Sequence, residues 1–154
     1  MKEWRLPIVR PDGPWRDEPD KIEWVDEATG YTCIVRRNSS MMFLCGYVGV
    51  PKSHPLFGKD YSDVDVDVHG GLTYSDACDE DGGELAICHD APDKAWWFGF
   101  DCGHSGDLHY IPVSMPVLSW EWPGPKDVYR DMAYVSRGCT QLALQLSKGQ
   151  VIPA

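Results

Sequence analysis

The sequence predicts an α+β protein in which an antiparallel sheet of about five or six strands carries one long C-terminal helix on a face. Three observations predict it. Short apolar or alternating stretches, separated by turns rich in glycine and proline, fill most of the chain, as in sequential antiparallel strands. Between Pro125 and Gly149, the residues Val128, Met132, Val135, Cys139, Leu142 and Leu146 recur at spacings of four, three, four, three and four. That is one apolar helical stripe of about six turns. No internal repeat divides the 154 residues, so residues 1–154 are expected to form one domain around one core.

Residues 1–20 hold Pro7, Pro11, Pro14 and Pro19, which forbid a regular helix. An extended arm pinned by Trp4 and Trp15 is expected. Lys21–Asp26 and Tyr31–Arg37 read as strands around the turn Glu27-Ala28-Thr29-Gly30. Met41–Val50 is apolar on both faces and therefore central. Pro51–Ser62 reads as a loop. Asp63–His69 alternates Val64, Val66 and Val68 against Asp63, Asp65, Asp67 and His69, the pattern of a half-buried strand. Gly70-Gly71 permits a bend, after which Leu72-Thr73-Tyr74 continues as a strand. Ala77–Asp93 is a polar, glycine-rich loop with one apolar piece, Leu85–Cys88, and is a candidate lid. Trp96–Cys102 reads as a buried aromatic strand, with Trp96, Phe98, Phe100 and Cys102 on one face and Trp97, Gly99 and Asp101 on the other. Leu108–Pro123 is a proline-broken connection with Trp120 and Trp122 packed. The helix is expected over residues 125–148, with Pro125 in its first turn and Gly149 ending it. Gly138 weakens it by roughly 1 kcal/mol relative to Ala.

Composition narrows the function classes. The hydrophobic fraction of 43% excludes a disordered chain, and no apolar run approaches the roughly 20 residues of a membrane helix. The N-terminus lacks the apolar core of a signal peptide, so a cytoplasmic protein is expected. The formal net charge of −10 argues against a broad nucleic-acid surface. Six cysteines without a Cys-x-x-Cys pair argue against a zinc ribbon and a disulfide scaffold.

Three clusters carry chemistry. The first is the glycine-spaced turn Asp101, Cys102, His104, Ser105 and Asp107, whose His and Asp side chains suit acid–base work or metal ligation. The second is Asp63, Asp65, Asp67 and His69 on one strand face, which suits a hard cation or solvent, with Asp67 and His69 beside Gly70-Gly71, where exposed backbone amides suit an anion. The third is His54, in the loop leaving the central strand. A nucleophilic triad built on Cys102 or Ser105 has no supporting local pattern, because Gly103-His104-Ser105-Gly106-Asp107 is not a nucleophile elbow.

Two blocks also look familiar: Gly46–Val50 through His54-Pro55 to Asp67-Val68-His69-Gly70-Gly71-Leu72-Thr73, and Trp97–Asp107. They resemble a family of small uncharacterised bacteriophage and bacterial proteins with His-Gly-Gly-Leu-Thr and Phe-Asp-Cys-x-His-x-Gly-Asp motifs. The helix from Tyr134 to Leu146 is similar to that family's ending. The resemblance implies no activity; it adds weight to His69, Asp101, His104 and Asp107, and it implies a host cytoplasm for a phage-encoded chain.

The leading expectation is a phage-type accessory or counter-defence protein that binds a small polar ligand, foremost a nucleotide signal. The pocket is expected between the His69–Gly71 bend and the Asp101–Asp107 turn. Gly70, Gly71, Trp97, Cys102, Ser105 and His54 are the expected ligand contacts, with His69, His104 and Asp101 as acid–base groups. The alternative is a metal-dependent hydrolase in which Asp67, His69, Asp101, His104 and Asp107 gather a divalent ion. A second alternative is an acidic inhibitor of a basic host protein. Whether the chain forms an oligomer is left open.

Overall fold

A computed structural model describes residues 1–7, 10, 12–38, 41–77, 85–87, 95–108 and 127–152. Six strands form one antiparallel sheet: β1 (Lys2–Trp4), β2 (Lys21–Val25), β3 (Thr32–Arg37), β4 (Leu44–Val50), β5 (Tyr74–Asp76) and β6 (Trp96–Asp101). Their order is β1-β2-β3-β4-β6-β5, with β4 central and buried along its whole length. Among the described residues a single α-helix, α1 (Met132–Ser147), packs across β3 and β4. The predicted α+β architecture is the observed one.

Both faces of the sheet are covered. Cys33, Val35, Val48, Phe98, Phe100 and Cys102 form the core beneath α1 with Val135, Cys139, Leu142 and Leu146. The alternate residues Ile34, Cys45, Tyr47 and Trp97 pack on the other face with Ile87. The helix approaches closely because the sheet and helix present glycines there. A Cβ on Gly46 would lie 2.6 Å from Phe100 and 2.7 Å from Cys139, and one on Gly138 would lie 2.8 Å from Phe100. Gly138 therefore trades about 1 kcal/mol of helix propensity for this contact.

The first residues of the arm join the sheet as β1, whereas residues 13–18 turn, with Arg16 N–H donating to the Gly13 carbonyl at 3.1 Å and Glu18 N–H to the Trp15 carbonyl at 3.2 Å. Trp15 is buried against the Tyr129 ring. Asp20, fully buried, takes Arg10 at 2.5 Å and Arg37 at 3.0 Å. Glu18 accepts the Met132 N–H at 2.7 Å, so the arm also supplies an acceptor to the exposed amides of the helix start.

Several expected elements differ, the central strand beginning at Leu44 and not at Met41. The helix starts at Met132, capped by Asp131, whose side chain accepts the Tyr134 N–H at 2.8 Å. Val128 is therefore outside the stripe. With Tyr129 it forms β8 (Val128–Tyr129), parallel to β7 (Asp107–Leu108), and is half exposed. The stretch Asp63–His69 is not a sheet strand. It opens with a 3₁₀ turn, Tyr61–Asp63, and continues as extended chain with a single bridge, Val64 to Val151. Its alternation is real, since Val64, Val66 and Val68 pack on the core. Its backbone partners, however, come from the helix end: Gln145 brackets Asp67 with two side-chain bonds, and Asp65 N–H donates to Gln150. The strand expected at Leu72 begins at Tyr74.

Within the candidate lid only Ala77, exposed, and Leu85–Ile87, buried, are described. Trp120, Trp122, Pro125, Cys78, Cys88 and the connection after Leu108 lie outside the described residues. Among the described residues, no helix is long and apolar enough to cross a membrane.

Candidate functional site

The site lies where two turns meet. Gly70 and Gly71, at φ +69° and +78°, turn the chain immediately after His69. Gly106, at φ +93°, closes the turn in which Asp107 N–H donates to the His104 carbonyl at 2.9 Å. Both turns need the left-handed backbone that glycine adopts without penalty.

Asp107, 5% exposed, organises the junction. Its Oδ2 meets His69 Nε2 at 2.8 Å and accepts the His104 backbone N–H at 3.1 Å. Its Oδ1 accepts Arg130 Nε at 3.1 Å. His69 Nδ1 lies 2.9 Å from the Tyr134 hydroxyl. An ionised carboxylate only accepts, which assigns the proton of neutral His69 to Nε2; Nδ1 then accepts from Tyr134. The result is a chain of hydrogen bonds, Tyr134 to His69 to Asp107, with Arg130 holding the carboxylate from the side. The Arg130 guanidinium also lies over the Tyr134 ring, 4.9 Å from its centroid.

A second His–Asp pair flanks the first. Asp101 accepts the Gly103 N–H at 3.0 Å and the Thr73 hydroxyl at 2.9 Å. His104 Nε2 is 3.2 Å from Asp101 Oδ1, a distance that suits an ion pair but without hydrogen-bond alignment. The two imidazole centroids are 6.2 Å apart. His104 packs against Gly70 so closely that a Cβ there would lie 2.4 Å from Nε2.

The structure thus joins His69, Gly70, Asp101, His104 and Asp107, with Gly71 in the same bend and exposed Ser105 in the facing turn. Other expected residues lie elsewhere. Trp97 is 1% exposed in the core of the opposite sheet face. Cys102 is buried beneath the helix, and burial, with Asp107 next in effect, pushes its thiol well above the ordinary range. Cys102 is therefore a packed thiol and not a nucleophile. His54 accepts the Leu56 N–H at 3.0 Å and donates to the Leu146 carbonyl at 2.9 Å, capping the far end of α1. That end is about 18 Å along the helix from Tyr134. Asp67 is exposed, and its carboxylate has no partner among the described residues. His89 and His109 lie outside the described residues. Among the described residues, no group of three or more His, Cys, Asp or Glu is placed to hold a metal ion.

Arg130 and Tyr134 were not singled out by sequence reasoning. The one available signal was an arginine and a tyrosine on either side of a helix cap, a pattern too common to mark a site. Arg130 changes the local electrostatics, because it places a cation among the carboxylates of an acidic region.

No comparison identifies the chain. No protein-family model, no curated protein and no solved structure matches it. The functional reading therefore rests on the geometry of the two turns.

Proposed function

We propose that this chain binds a small polar ligand, foremost a nucleotide signal, where the His69–Gly71 bend meets the Asp101–Asp107 turn. The accessory or counter-defence setting rests on the two phage-type motifs. The observation that carries the binding reading is a contrast between two polar networks. At Asp20–Arg37 the side chains are sealed, with exposures of 0% and 1%. At the junction the buried Asp107 is surrounded by groups that reach solvent: His69 at 17%, Arg130 at 29% and His104 at 38%. A network built only for stability gains nothing from an open rim. One that presents oriented donors and acceptors to a ligand needs it.

Calorimetric titration with a panel of mono-, di- and cyclic nucleotides tests the proposal. At least one compound is expected to bind more tightly than about 1 mM, and Asp107→Asn and His69→Ala are expected to abolish that binding. Failure of the whole panel to bind would remove the reading.

A second reading has one observation of its own, the two His–Asp pairs side by side. They would let His69, Asp101, His104 and Asp107 gather a divalent ion and activate water for hydrolysis. His69 would first have to give up a hydrogen bond, since both its nitrogens are engaged. Metal analysis after reconstitution with Mg²⁺, Mn²⁺ and Zn²⁺ separates this reading from binding alone.

A further inference from the structure

We infer that the Arg130 guanidinium, stacked on the Tyr134 ring, forms an oxyanion subsite, which takes a phosphate or carboxylate group of the ligand. The inference rests on the binding site proposed above and names the part of the ligand that site reads.

Three observations carry it. Arg130 has five N–H donors, yet its only hydrogen bond to a described residue runs from Nε to Asp107 at 3.1 Å. Both terminal nitrogens, with four donors, remain on a side chain that is 29% exposed. The Nε bond fixes the plane of the guanidinium, so those donors are aimed as well as free; a planar fork of this kind suits two oxygens of one anion. The third observation concerns Tyr134. Its ring lies 4.9 Å from the Arg130 guanidinium and 5.5 Å from the His69 ring, and among the described residues its hydroxyl makes one bond, to His69 Nδ1. That bond uses the hydroxyl's one proton, so Tyr134 serves the subsite by supporting the guanidinium on its ring and not by donating to the anion.

With His69 neutral, Asp107 balances the charge of Arg130, and its oxygens accept from Arg130, His69 and the His104 N–H. An incoming anion therefore meets no net local charge from this pair, and what the site offers it is the directed terminal nitrogens of the guanidinium. Asp107 and Tyr134 are positioning residues here: Asp107 fixes the guanidinium through Nε, and the Tyr134 ring supports it. The region's thirteen acidic residues from Asp60 to Asp107 argue against any anion held by general attraction. They do not act against one held by a specific fork.

The test measures affinity of the full chain for a nucleoside monophosphate, the matching nucleoside, inorganic phosphate and acetate. Wild-type, Arg130→Gln and Tyr134→Phe proteins are compared. The monophosphate is expected to bind at least about tenfold more tightly than the nucleoside, as one charge-assisted contact provides. Arg130→Gln is expected to erase that preference, weakening the monophosphate at least about tenfold more than the nucleoside, an effect that loss of packing would not produce. Tyr134→Phe keeps the ring that supports the guanidinium, so it is expected to retain the preference. Arg130→Lys, measured alongside, keeps the charge and loses the fork; it is expected to reduce the preference several-fold and decides the matter if Arg130→Gln does not fold. Equal binding of nucleoside and monophosphate would overturn the subsite and leave the ligand site standing. Arg130-dependent binding of phosphate or acetate without any nucleotide affinity would support the subsite, identify its anion, and remove the nucleotide reading. Absence of binding by all four probes would overturn both.

Discussion

Gly70 carries two constraints that can be measured apart. Its φ of +69° strains any side chain, and a Cβ would lie 2.4 Å from His104 Nε2. Gly71 has the same backbone strain, at φ +78°, but nothing within 4 Å of its Cβ. Gly71→Ala is expected to cost about 1–2 kcal/mol from strain alone. Gly70→Ala is expected to cost clearly more, because His104 must also move. Urea denaturation of both variants checks this; equal losses would mean that His104 does not pack against the bend. Residue chemistry was legible in the sequence where a motif concentrated it. His69, His104, Asp101 and Asp107 stood out because His and Asp gathered beside glycines. Arg130 and Tyr134 did not, since their role arises only when the start of α1 lies against the two turns. Trp97 misled for a related reason: strand alternation separates two faces without saying which of them borders a site.

At the scale of elements, the start of α1 shows how spacing alone can mislead. Val128 lies four residues before Met132 and continues the apolar stripe in the sequence. Asp131, at φ −78° and ψ 176°, breaks the helix between them and caps it. Asp131→Ala is therefore expected to cost about 1 kcal/mol. Val128→Ala is expected to cost under about 0.5 kcal/mol, because the side chain is 50% exposed. Thermal or urea denaturation distinguishes this from a helix that includes Val128, for which the alanine would cost 2 kcal/mol or more by the usual burial scale. The stretch Asp63–His69 carries the complementary lesson. Alternation reports that one side of an extended chain is buried, and Val64, Val66 and Val68 are indeed packed. It cannot report whether a neighbouring backbone or a side chain such as Gln145 supplies the hydrogen bonds. The hairpin before it was legible because its chemistry is local: Gly30 takes φ +75°, and Asp26 accepts both the N–H and the hydroxyl of Thr29.

The whole molecule is a two-faced sheet whose interior holds reduced, packed thiols. Burial pushes the Cys33 and Cys45 thiols up to about 12 from an ordinary 9.0. Burial also pushes up the Tyr47 and Tyr129 hydroxyls. Between about pH 9 and pH 12 the folded chain therefore holds protons that the unfolded chain has released. Stability is complete below that window and falls as pH rises through it, by up to about 1.4 kcal/mol per pH unit for each thiol. Urea midpoints are expected to hold steady from about pH 7 to 8.5 and to drop by about pH 10.5; a flat profile would mean that these thiols are exposed. The sheet-and-helix arrangement was legible from periodicity because burial imposes it on every element at once. The closing of one turn on another was not, because it depends on a single buried carboxylate.

That closing is the central claim, and amide chemical shifts recorded while a binding nucleotide is titrated test it most directly. Shift changes are expected in both turns, residues 69–71 and 103–107, and at Arg130 and Tyr134, all following one dissociation constant and all absent in Asp107→Asn. Changes confined to one turn, or to the opposite sheet face around Trp97, would contradict it.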